Sequence, residues 1–316
     1  MTDEAPPPGA EHKGHQRPWP GPGSRPPPAL AAEVACLLEV AARKPGNVTP
    51  ERAFADATAL DFQLAAAALG RSLGGAAQKG IGQAALDAVS AGRRLTPANA
   101  NLGLVLLLTP LVATAETIPG KVTRARVARI LARLTADDAA LVFKAIRLAA
   151  PGGIGEAEEE DVFAGKPTRP LVEVMALAAP WDLVARQYSG GFREVFEEGA
   201  PWIGAALEDG LPLETAIVLC HLRFLEQHPD SLIWRKCGEA AARDASRRAG
   251  EVLRLGWPKH AAATEAFDAL DAWLRADGHR RNPGTSADLV GASLFVAIHN
   301  EIIPLPLSGF AAKTPR

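Results

Sequence analysis

Leu30, Val34, Leu37, Leu38 and Ala41 recur at helical spacing behind a run of prolines, and Lys44-Pro45-Gly46 stops the pattern. Apolar side chains three and four positions apart share one helix face, so this stretch predicts a first helix. The same recurrence predicts helices over 59–69, 76–91, 101–115, 123–134, 136–149, 170–180, 181–197, 201–209, 212–228, 231–255, 261–277 and 286–300. Thr135 with Asp138, and Thr285 with Asp288, have the spacing of capping boxes, in which a hydroxyl and a carboxylate satisfy orphan amides reciprocally. β-Branched alternation is scarce. The expectation is an all-α fold: one multi-helix bundle of about 12–13 helices over residues 29–316.

Composition changes this picture at the ends. Residues 1–28 carry nine of the 26 prolines and almost nothing to bury, so they predict a disordered Pro/Gly-rich tail without the apolar core of a signal peptide. The apolar run from Leu102 to Ala115 contains Pro110 and falls short of the roughly 20 residues that cross a bilayer, which predicts a buried helix. Lys plus Arg (34) nearly balance Asp plus Glu (36), so no global field recruits nucleic acid or an anionic membrane. Cys36, Cys220 and Cys237 are odd in number and lie in apolar helical text, which predicts free thiols and a cytoplasmic address.

Four segments hold chemistry-bearing residues. Lys44-Pro45-Gly46-Asn47 ends the first helix; Lys44 either complements the helix C-terminus or meets a phosphate, and Asp56 and Asp61 follow as carboxylates near the same loop or as helix caps. Asp230-Ser231 begins a helix that carries Arg235 and Lys236 one turn on, a cap with surface charges or a metal-phosphate site with a basic clamp. Asn282-Pro283-Gly284-Thr285 delivers a helix start, which is a turn and equally an anion site, with Asp288 just inside. Asp182 and Arg186 sit four apart on one face, followed by Gln187 and Tyr188, the sole tyrosine. Asn99 and Asn101 before Gly103 read as a turn. The glycines from Gly74 to Gly80 lack the Gly-Lys-Ser/Thr order of a phosphate loop, His221 and His228 are too far apart for one zinc ion, and no Gly-x-Ser-x-Gly elbow occurs. The acidic run from Glu156 to Asp161, behind Pro151-Gly152-Gly153, reads as a solvated loop.

In order, Lys44 to Val48, the Asp56/Asp61 pair, Asn99 to Gly103, Pro151 to Gly155, Asp182 to Tyr188, Pro229 to Lys236 and Asn282 to Leu289 make the chain resemble the triphosphoribosyl-dephospho-CoA synthase family over roughly residues 31–298. The resemblance implies an all-helical enzyme in which the 2′-hydroxyl of 3′-dephospho-CoA attacks the ribose C1′ of ATP. Adenine leaves and the triphosphate stays attached, giving the precursor of the prosthetic group of citrate lyase and malonate decarboxylase carrier proteins. Such a reaction passes through an oxocarbenium-like centre, so it needs carboxylates, a proton donor for the purine and a clamp for the triphosphate. On that reading Asp56, Asp61 and Asp182 are catalytic, and Lys44, Arg235 and Lys236 form the clamp. Gly46, Asn47, Asn101, Ser231, Asn282, Gly284 and Thr285 complete the ATP contacts. Arg186, Gln187 and Tyr188 meet the acceptor, and Asp230 and Asp288 hold Mg²⁺. The chain departs from citrate-lyase-type members, which continue the first motif with Gly-Ala-His; Phe54 to Asp61 has neither Gly nor His, and Asn47 stands where Leu is usual. This places it on a divergent branch, with transfer to another cofactor-pathway acceptor, or a non-catalytic helical scaffold, as the rival readings.

Overall fold

A computed structural model describes residues 25–98, 100–150, 160–162 and 165–307. Most of the Pro-rich tail, Asn99 and the start of the acidic run therefore lie outside the described residues. The chain is 69% helical, with 15 helices and no strands among the described residues. They are α1 (Pro28–Ala41), α2 (Ala59–Leu73), α3 (Ala76–Lys79), α4 (Ile81–Leu95), α5 (Leu102–Thr117), α6 (Arg124–Leu131), α7 (Ala136–Ala149) and α8 (Leu171–Ala178). There follow α9 (Leu183–Gly190), a π-turn (Val195–Gly199) that runs into α10 (Ala200–Glu208), α11 (Leu213–Gln227), α12 (Ser231–Cys237), α13 (Glu239–Arg254), α14 (Ala261–Arg275) and α15 (Gly284–His299).

Neighbouring helices pack in the order α7, α4, α2, α1, α15, α11, α13, α14, and α5 lies against α1, α4 and α15. α15 is apolar all round and buried over nearly its whole length, the pattern of a central helix. α13 is the opposite case: Ala242, Ala245, Ala249 and Val252 form a narrow buried stripe, flanked by Ala241 and Leu253, and the opposite face is mostly charged. The single helix expected over 231–255 is two, because Gly238 takes φ +86 and ends α12 before α13 begins. The three cysteines are free, and none of the described helices is long and apolar enough to cross a membrane.

The Thr135–Asp138 capping box forms at α7. The expected Thr285–Asp288 box does not, since α15 starts at Gly284 with Pro283 before it and no side chain capping it. That early start leaves the Asp288 carboxylate one turn inside the helix and free of a capping role. A box the periodicity left open joins Thr58 to Asp61 at the start of α2.

Candidate active site

The N-termini of α9, α12 and α15 meet, and each is tied to the next. Asp182 caps α9 through the amides of Val184 (2.9 Å) and Ala185 (3.0 Å), while its other oxygen accepts from Arg235 of α12 at 3.1 Å. Ser231, the first residue of α12, accepts the Leu183 amide of α9 through its hydroxyl at 2.8 Å. Asp230 caps α12 by accepting from Leu232 (2.9 Å) and Ile233 (3.1 Å), and also accepts from the amide (2.7 Å) and hydroxyl (2.9 Å) of Ser286 in α15. Asp230 is fully buried, and burial raises its proton affinity against the pull of these four donors. Its oxygens are engaged by four protein donors, at the position where the resemblance implies a metal ligand.

Asp288 has the opposite character. No hydrogen bond or ion pair reaches it from the described residues, and α5 approaches so closely that a Cβ on Gly103 would lie 2.0 Å from its Oδ2. Only glycine admits the half-buried carboxylate there. Burial pushes the Asp288 carboxyl well above the usual carboxylate range, and the charges of Glu39, Asp230 and Asp182 push it further, with Arg235 opposing. Glu39, on α1, was not legible as a site residue; its signal is an acid set inside the apolar run Leu37 to Val40.

Lys44 is 1% exposed, and its ammonium lies 2.9 Å from Glu39 Oε1 and donates to the carbonyls of Glu39 and Ala42. It thus satisfies the end of α1, the first of its two readings, and is committed away from an open clamp. Free cationic capacity lies instead on α12. Lys236 has no partner among the described residues, and burial, followed by the neighbouring Arg235 charge, lowers its proton affinity. Arg235 keeps a buried Nε without a hydrogen-bond partner, a donor that needs an acceptor. The loop after α1 is pinned across the same region. Asp271 of α14 accepts from the Gly46 amide (2.7 Å), Arg52 (2.7 Å) and Arg275 (2.8 Å), and the Asn47 amide group donates to Asn282 at 2.7 Å. Gly284 and the buried Thr285 form the first turn of α15 at this junction.

The remaining expected residues separate from this centre. Asp61 accepts from Thr58 and from Thr96 (2.5 Å), and these hydrogen bonds, led by that of Thr96, hold its carboxyl below the usual range. Asn101 adopts φ +67 ahead of α5 and donates to the Phe62 carbonyl at 3.1 Å. Arg186 donates to the Ala179 and Pro180 carbonyls instead of pairing with Asp182. Gln187 is buried and donates to Glu194 at 2.9 Å. Tyr188 is buried, and its hydroxyl donates to the Leu106 carbonyl at 2.7 Å. Leu106 lies four residues before Pro110, whose missing amide would have served that carbonyl in α5. The single tyrosine thus repairs a helix, and its buried hydroxyl is committed there, at the position where the resemblance implies an acceptor contact. Asp56 stays exposed, 3.2 Å from His279 Nε2, and its charge acts on Lys236.

Helix N-termini carry partial positive charge, which the Asp182 and Asp230 caps offset at these three. An all-helical bundle that sets two cations, Arg235 and Lys236, and a carboxylate without a hydrogen bond or ion pair among the described residues at three joined helix starts suits the class of enzymes acting on a polyanionic substrate. The profile of the CitG family, ATP:dephospho-CoA triphosphoribosyl transferase, matches residues 27–305. The chain belongs to that family, and its activity is transfer of the triphosphoribosyl group from ATP to dephospho-CoA. Among solved structures it is similar to that of an Archaeoglobus fulgidus protein named as a triphosphoribosyl-dephospho-CoA synthase. The two are 27% identical with a TM-score of 0.59, over 75% of this chain and 97% of the other. A search of curated proteins gives no match.

Proposed function

We propose that the junction of α9, α12 and α15 is the ATP site of this transferase. Lys236 and the open edge of Arg235 hold the triphosphate. ATP brings Mg²⁺ with it as part of the substrate. The described residues contain no group of three or more His, Cys, Asp or Glu side chains able to hold a metal by themselves. Mg²⁺ commonly keeps its waters and takes one or two carboxylates beside substrate phosphates, and Asp288 fits that demand. The observation that carries the reading is the Asp288 carboxylate itself, which packs against Gly103 of α5 and has no hydrogen bond or ion pair among the described residues, so that a positive charge placed beside it is favoured. The divalent ion supplies charge neutralisation of the phosphates; the chain's residues supply orientation.

Holding the triphosphate without a nucleophile in line with phosphorus leaves the ribose C1′ as the electrophile. The 2′-hydroxyl of dephospho-CoA attacks there, the bond to adenine breaks, and the triphosphoribosyl product forms. Asp182 and Asp230 act as positioning residues that fix Arg235 and the start of α15. The test is to incubate purified protein with Mg-ATP, with and without 3′-dephospho-CoA, and to follow adenine and product mass. Adenine formed only with dephospho-CoA, whose mass gains a triphosphoribosyl group, is the expected result. Adenine formed equally without it would make the protein a hydrolase, and no adenine in either tube would refute the reading.

A further inference from the structure

The departing adenine needs a proton, and two of the three carboxylates expected to be catalytic are engaged elsewhere: Asp61 in its cap, and Asp182 between the α9 amides and Arg235. One group on the rim of the proposed ATP site has the right chemistry. His279, in the turn between α14 and α15, stacks on Phe54 of the loop after α1, with ring centroids 4.3 Å apart and 12° between planes. Its Nε2 lies 3.2 Å from Asp56 Oδ1. Asp56 in turn is close enough to Lys236 for their charges to interact, and Arg280 donates to the Lys236 carbonyl at 2.8 Å. The ring pair therefore stands beside the cation assigned to the triphosphate. His279 also takes φ +56, a conformation that non-glycine residues seldom adopt and that often marks functional sites.

A carboxylate on one ring nitrogen fixes the orientation of an imidazole, leaving the other nitrogen to face a substrate. Resting on the transferase reading above, we propose that His279 is the catalytic acid that protonates adenine as it leaves, and that Asp56 is its positioning residue. The C1′–N9 bond breaks with its electron pair going to the purine, and the His279 Nδ1 proton passes to a purine ring nitrogen, so that neutral adenine departs. The C1′–O bond forms with the dephospho-CoA 2′-hydroxyl, whose proton is released to water, and His279 is reprotonated from water. Protons balance over the cycle.

The test compares ATP with 7-methyl-ATP, whose base is already cationic and leaves neutral without a proton. Wild type, His279→Gln and Asp56→Asn are measured at saturating donor with dephospho-CoA. With ATP, His279→Gln should lose about 10²-fold or more in kcat, the range for general acid catalysis, with KM for ATP nearly unchanged. With 7-methyl-ATP the loss should shrink to a few-fold, and Asp56→Asn should show the same split more weakly. A loss equal on both donors, or no loss at all, overturns the assignment while leaving the transferase reading intact. A wild type that releases neither base overturns both.

Discussion

The pairing of Tyr188 with the carbonyl freed by Pro110 can be tested apart from catalysis. Tyr188→Phe keeps the ring against Phe192, 6.0 Å between centroids, and removes only the donor to Leu106. A buried carbonyl left without a partner costs about 1–3 kcal/mol, so unfolding in urea, followed by far-UV circular dichroism, should show a loss of that size. Pro110→Ala restores an amide four residues after Leu106. In that background Tyr188→Phe should cost less than about 1 kcal/mol, giving a coupling of about 1–2 kcal/mol in the four-protein cycle. There is a pH signature as well. Burial, and then the Asp138 charge, raise the Tyr188 hydroxyl above its ordinary value. Above the unfolded value of about 10 the unfolded chain loses a proton that the native state keeps, so stability falls as pH rises, and Tyr188→Phe removes that fall. Strictly additive losses would refute the repair argument. A raised KM for dephospho-CoA at unchanged stability would return the hydroxyl to the acceptor.

Three further outcomes follow from the site. Asp230→Ala removes a helix cap and strands the Ser286 amide, so it should lower the unfolding free energy by about 2–4 kcal/mol, with Asp230→Asn intermediate; an unchanged urea midpoint would free Asp230 for metal binding. Asp288→Asn should abolish adenine release yet stabilise the fold. Because the native carboxyl is raised, its contribution to wild-type stability declines as pH climbs above the unfolded carboxyl value of about 4, so the variant's advantage should grow as pH rises from there. A constant difference would contradict the crowding of the four acids. Lys236→Met should weaken ATP binding by about 1.5–3 kcal/mol in titration calorimetry without loss of thermal stability, and an unaltered affinity would remove it from the clamp.

The helices were largely legible because burial on one face imposes a period that any reader of the chain can count. Their interruptions were less so, since a break such as Gly238 inside an otherwise helical run depends on how α12 and α13 must turn to pack. The candidate site was legible as segments and opaque as roles. Asp61 and Asp230 stand at motif positions, yet their partners, Thr96 and Ser286, are set by tertiary contact and leave no spacing signal. His279 escaped for a related reason: Phe54 and Asp56 are more than two hundred residues away along the chain, and an isolated histidine in a turn has no motif of its own.

The interlocked caps at α9, α12 and α15 bear on how the protein opens. The first turns of these helices lean on Asp182, Ser231 and Asp230, so none can fray alone without stranding a buried partner in another. Termini are ordinarily where helices exchange their amide protons first, but here the amides of Leu183, Leu232, Ile233 and Ser286 should exchange as one slow unit. A segment scattered over a hundred residues of chain would then behave as a single foldon, holding the mouth of the site rigid between turnovers.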